Sequence, residues 1–133
     1  MTATPATVLV VDDDATLRRT IESALAGAGY RAVGAGGAET AYELLSSLQP
    51  DAVLLDIRLP TMSGLALYLA IVNRWPALSG RIALMTGDAE ADDLRPWLKR
   101  NPCAVLRKPF NQDELLKWLR AVLQIPRLEH GNG

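Results

Sequence analysis

The residues able to do chemistry stand in four places. "VLVVDDD" (8–14) ends an apolar run in three consecutive carboxylates, Asp12, Asp13 and Asp14. "AVLLDI" sets Asp56 directly behind a second run, "LMTGDA" puts Thr86 behind a third, and "VLRKPF" puts Arg107 and Lys108 behind a fourth. If each run is a strand of one sheet, acids, a hydroxyl and one or two cations converge on one edge. Carboxylates crowded in a crevice repel one another, so either their pKa values rise or a cation neutralises them. A hard divalent cation is the economical solution, and Mg²⁺ suits it: it prefers oxygen, keeps several waters, and is often held by one or two carboxylates together with a phosphate. On this reading "DDD" is half of a metal cradle and Asp56 is the other half.

Each residue also has a plainer alternative. Any of the three acids at 12–14 could cap the following helix, and Asp14 is read as that cap or as a first-turn acid. Lys108 alone would be a solvated charge, and Thr86 alone an ordinary strand-end hydroxyl. Asp56 resists this treatment, because an acid between Leu55 and Ile57 would be largely buried and costly without partners. The joint placement behind four runs favours the chemical reading.

Positioning such a site needs regular elements. Nearly continuous apolar runs at 7–11, 31–35, 51–55, 81–85 and 103–106 predict five strands covered on both faces. Between them Leu17, Ile21, Ala24, Leu25 and Ala28 form one helical stripe, stopped by Gly27 and Gly29. Ala41, Leu45 and Leu48 mark a second helix, opened by Gly36 and Gly37 and closed by Pro50; Leu65, Leu69 and Val72 mark a third, ending before Pro76. Pro96 is acceptable only in a first turn, so the fourth helix is placed late, as "LRPWLKR" with Asp93 as N-cap and Pro96 at N3, after a long mobile loop at 87–92. Asn111 and Glu114 have capping-box spacing ahead of Leu115, Trp118, Leu119, Val122 and Leu123. Strands alternating with helices imply right-handed crossovers and a parallel sheet between helical layers, with ligands at the carboxyl ends of the strands.

Composition narrows the functional classes. The chain has 133 residues, 49% hydrophobic and 22% charged, which suits one domain at 7–124 between frayed ends at 1–6 and 125–133. A net charge of -1 without basic clusters argues against direct nucleic-acid or membrane binding. Without an export signal, the expected location is the cytoplasm. The single Cys103 reads as a small buried hydrophobe, and His130 as a tail residue and not a phosphodonor.

The set "LVVDDD", "LLDIRLPTMSG", "LMTGDA" and "VLRKPF", in order and spacing, resembles the receiver domain of two-component response regulators over about residues 7–124. The resemblance implies a flavodoxin-like α/β fold, a (βα)5 three-layer sandwich with strand order 2-1-3-4-5. It implies that Asp56 is the phosphoacceptor, taking a phosphoryl group from a partner's phosphohistidine. Asp13 would ligate Mg²⁺ directly and Asp12 directly or through water, with Asp56 and the Arg58 backbone carbonyl completing the protein ligands. Lys108 and Thr86 would reach phosphoryl oxygens, and the Lys108–Pro109 peptide would be cis. Pro60 and Gly64 would shape the loop after the acceptor, Gly64 through a positive φ, with Met62 open to a partner. The implied partners are a sensor histidine kinase or histidine phosphotransfer domain and a downstream output protein or domain, the chain itself being a monomer or weak dimer. Such a domain is no enzyme in the usual sense, since it assists only its own phosphorylation and dephosphorylation.

Two departures stand out. Val105 replaces the usual aromatic three positions before the lysine, so Thr86 and the loop after it are expected to carry the change of state. Arg58 and Asp88 could pair across the site and lengthen the phosphoryl lifetime. Alternatives are the receiver of a hybrid histidine kinase, a pseudo-receiver that only binds a partner, a flavodoxin, and a haloacid dehalogenase-type phosphohydrolase. The last needs an acid where Arg58 stands, and a flavodoxin needs a hydroxyl- and amide-rich phosphate loop where the carboxylates stand.

Overall fold

The structure is a computed structural model that describes residues 4–87 and 94–125. Five strands pair in parallel in the order β2-β1-β3-β4-β5: β1 Thr7–Val11, β2 Arg31–Ala35, β3 Ala52–Asp56, β4 Ile82–Thr86 and β5 Ala104–Arg107. This is the flavodoxin-like order that the resemblance implied. The last three strands each run one residue later than the apolar runs suggested, so Asp56 and Thr86 are themselves the final strand residues. The register keeps the carboxyl ends level, with Val11 opposite Leu55, Asp56 opposite Met85 and Thr86 opposite Arg107.

Alternation along the strands divides the core in two. Leu9, Val11, Val53, Leu55, Ile82 and Leu84 face α2 (Ala38–Leu48) and α3 (Gly64–Arg74). Val8, Val10, Leu54, Met85 and Leu106 face α1 (Ala15–Gly27) and α5 (Gln112–Leu123). Capping follows the expected chemistry: Asp14 Oδ1 accepts from the Thr16 and Leu17 N–H groups at 3.1 Å each, and Asn111 Oδ1 accepts from the Glu114 N–H at 2.8 Å. Both leave fewer orphan donors at a helix start.

Three expectations are corrected. On α3 the buried residues are Gly64, Leu67, Tyr68 and Ile71, whereas Leu69 is 44% exposed and Leu65 and Val72 are half-buried. The helix is apolar nearly all round, so spacing alone could not tell which stripe meets the sheet. The fourth helix, α4 (Arg95–Arg100), is capped at Leu94, which puts Pro96 at N2 instead of N3. The anchor there is apolar, since Leu94 is 3% exposed; Asp93 lies outside the described residues. Third, among the described residues the left-handed glycines are Gly29 and Gly80, not Gly64. What Gly64 provides is space: a Cβ would collide with the Asp56 carbonyl oxygen.

Candidate functional site

Asp12 follows β1, and the backbone fixes it before any ligand arrives. Its N–H donates to the Ala35 carbonyl at 3.0 Å, its Oδ1 accepts from the Asp14 N–H at 2.9 Å, and its carbonyl accepts from Arg18 Nη1 at 2.6 Å. No part of it reaches solvent. Asp56, 5% exposed, closes β3, and its Oδ1 accepts from the Arg58 N–H at 3.1 Å. Lys108 spans both acids, its Nζ 3.1 Å from Asp12 Oδ2 and 3.2 Å from Asp56 Oδ2. The lysine is itself placed by its N–H, which donates to the Thr86 carbonyl at 2.7 Å, and the peptide to Pro109 is cis. The exposed Asp13 adds a third carboxylate, and one oxygen from each of Asp12, Asp13 and Asp56 lies within 4.8 Å of the others.

These side chains share a cleft of about 400 Å³ that also touches Arg58, Leu59, Pro60 and Gly87. A larger groove of about 460 Å³ between α1 and α5 has no charged lining, so the reactive groups lie in the smaller one. Burial pushes the Asp56 carboxyl up to about 6; the Arg58 N–H opposes this, the Asp12 charge adds to it, and Lys108 opposes it. For Lys108 burial favours the neutral amine, but its hydrogen bonds and charge contacts with Asp12 and Asp56 outweigh that and raise its pKa. Lys108 therefore stays cationic at neutral pH. Four carboxylates, Asp12, Asp13, Asp14 and Asp56, against Lys108 and Arg58 leave the cleft negative, and an all-oxygen donor set of this size fits a hard divalent ion.

Asp12, Asp13, Asp56 and Lys108 are thus brought together. Thr86 stands at the same edge, 1% exposed, but its hydroxyl donates to the Gly87 carbonyl at 3.0 Å and is turned to the backbone. The exposed Arg58 lines the cleft, while Asp88, its suggested partner, lies outside the described residues. Val105 packs partly buried on the α2–α3 side of the sheet. Cys103 is half-buried near Tyr68, and burial pushes its thiol up to about 11, which makes it a poor nucleophile. Met62 is 42% exposed at the loop surface. Sequence reasoning missed Arg18 and the space that Gly34 leaves for it; a glycine inside the β2 run was the signal of a close approach.

The family model described as "Response regulator receiver domain" matches residues 8–120. Among curated proteins, the DNA-binding transcriptional regulator NtrC of Escherichia coli is 39% identical over 107 residues, covering 80% of this chain and 22% of that protein. The phosphate regulon transcriptional regulatory protein PhoB of Pseudomonas aeruginosa is 33% identical over 118 residues, covering 89% of this chain and 52% of that protein. The chain therefore spans from about a fifth to about half the length of these relatives. Among solved structures, the receiver domain of NtrX from Brucella abortus superposes with a TM-score of 0.81 at 26% identity, over 90% of this chain and 99% of that one. A CheY-like response regulator receiver domain protein from Methanospirillum hungatei gives 0.82 at 25% identity, over 91% of this chain and 95% of that one.

Proposed function

The chain belongs to the response regulator receiver family, and from that premise we propose that Asp56 is its phosphoacceptor and that residues 7–124 are the receiver unit. The family consists of signalling domains of two-component systems in which an aspartate is phosphorylated. The observation that carries the assignment is the Asp56 carboxylate at the mouth of β3, held between Lys108 and the two neighbouring acids.

In the proposed transfer an Asp56 carboxylate oxygen attacks the phosphorus of a partner's phosphohistidine. The P–O bond forms as the P–N bond breaks, its electron pair stays on the ring nitrogen, and the product is an acyl phosphate. Asp12, Asp13, Asp56 and the Arg58 carbonyl would hold Mg²⁺, which when bound offsets charge on the transferring phosphoryl. Lys108 would pass from Asp56 to a phosphoryl oxygen, and Thr86 would exchange its bond with Gly87 for another. The added charge of roughly -1.5 to -2 then biases the Thr86 loop between two packings.

The donor is a sensor histidine kinase or histidine phosphotransfer domain, and a downstream output protein or domain reads the product. The apolar groove between α1 and α5, lined by Leu17, Ile21 and Phe110, shares Leu17 and Phe110 with a pocket at Lys108. It gives the donor a footing beside Asp56. Among the described residues no helix is long and apolar enough to cross a membrane, and the cytoplasm is the proposed location.

Incubation with acetyl phosphate and MgCl₂ should raise the mass of the intact protein by one phosphoryl group, and EDTA should prevent it. An unchanged mass with acetyl phosphate and also with a phosphorylated histidine phosphotransfer domain would make the chain a binding module instead.

A further inference from the structure

Arg18 has no part in the roles assigned above. One turn into α1, its side chain runs back toward the strand end, Nη1 donating to the Asp12 carbonyl at 2.6 Å while Nε lies 3.7 Å from the Glu22 carboxylate. That route exists because β2 has no side chain at Gly34. A Cβ there would collide with the Glu22 carboxylate and lie 2.9 Å from Arg18 Cδ and 3.1 Å from Arg18 Nε. Gly34 is not among the positive-φ glycines, so the position demands space and not backbone freedom.

We propose that Arg18 is a positioning residue for the cation site. By gripping the Asp12 carbonyl it fixes the β1–α1 turn from which Asp12 and Asp13 present their carboxylates to Asp56, and Gly34 is the notch that admits it. The inference rests on reading those three acids as the cation site. Arg18 acts on a bound cation in two opposing ways: its charge repels the ion, and its grip orders the ligands. The guanidinium side chain is 22% exposed, so solvent and salt weaken the repulsion. The grip is a short charge-assisted bond to a residue with no solvent exposure, and it prevails.

Titration of the full chain with MgCl₂ by calorimetry, with no phosphodonor present, tests this. Arg18→Leu should weaken Mg²⁺ binding about tenfold. Arg18→Lys keeps the charge without the planar fork and should recover only part of the loss. Gly34→Ala should weaken binding similarly, and the double variant should be no worse than either single one, because both act through one bond. Urea unfolding in EDTA, run in parallel, identifies any variant that is not folded under the titration conditions, and the two Arg18 variants test the idea without Gly34→Ala. Tighter Mg²⁺ binding by Arg18→Leu would mean that repulsion dominates and would overturn the proposal. So would unchanged affinity in Arg18→Leu beside a clear loss in Asp13→Asn, which leaves the cation site itself intact. A parent protein that binds no Mg²⁺ would remove the cation site and the role of Arg18 together.

Discussion

Asp56→Asn is expected to accept no phosphoryl group from any donor and, in EDTA at neutral pH, to be more stable than the parent. The first part follows from chemistry, since a side-chain amide lacks the anionic oxygen that attacks phosphorus. The second follows from burial. The Asp56 carboxyl is raised from 3.8 to about 6 in the fold, chiefly by desolvation. A raised carboxyl pKa means that the folded state holds the proton more tightly than the unfolded chain. Its contribution is therefore favourable at low pH and is lost as pH rises from about 4 through about 6. Above that window the folded protein carries a buried charge whose desolvation the attraction to Lys108 offsets only in part. Asparagine has nearly the same shape and no charge. Urea melts in EDTA should show the variant gaining on the parent between about pH 4 and 6, level above about 7 and converging below 4. Saturating Mg²⁺ should shift the comparison toward the parent, because only the parent offers the full carboxylate set. Equal stability at pH 7 to 8 in EDTA would show that Asp56 bears no such burden.

The fold was readable from the chain because its strands are covered on both faces and so appear as continuous apolar runs. Where an edge is polar, the reading slipped. Asp51 and Arg81 looked like first strand residues, yet Asp51 accepts from the Thr7 N–H at 2.8 Å, and Arg81 donates to the carbonyls of Asp51 at 3.0 Å and Ile125 at 2.6 Å. These two residues tie the far ends of the sheet together instead of extending it. Asp12, Asp13, Asp56 and Lys108 could be found as a set, because a parallel sheet puts all strand ends on one edge. How the work divides among them could not be read, since it depends on which carboxylate the turn buries: Asp12 is wholly enclosed and held by backbone, while its neighbour Asp13 is exposed. Thr86 was located correctly as a strand end, but the direction of its hydroxyl is a rotamer, and rotamers leave no trace in a sequence. Arg18 escaped notice for a related reason: its partner is a backbone carbonyl, which every residue possesses.

Gly64→Ala should be among the most damaging single-methyl additions in the described part of the chain. The Gly64 N–H donates to the Ile57 carbonyl at 2.6 Å, which folds the 57–63 loop back against the end of β3. An added Cβ would collide with the Asp56 carbonyl oxygen and lie 2.7 Å from Ile57 Cα and 2.9 Å from the Asp56 carbonyl carbon. All three are backbone atoms of the acceptor segment, so no rotamer change relieves the overlap. Either the start of α3 lifts or the end of β3 moves, at about 3 kcal/mol. If β3 moves, Asp56 shifts relative to Lys108, and phosphorylation by acetyl phosphate slows as well. The informative comparison is Gly27→Ala, the same chemical change at the last residue of α1, where a Cβ would meet nothing within 4 Å. There alanine replaces glycine in a helix with room to spare, and it should raise stability by up to about 1 kcal/mol. Urea midpoints shifting in opposite directions would locate the Gly64 effect in the contact with Asp56. A Gly64→Ala midpoint unchanged from the parent would show that the acceptor loop has slack, and that its closeness to the strand end is not what holds Asp56 in place.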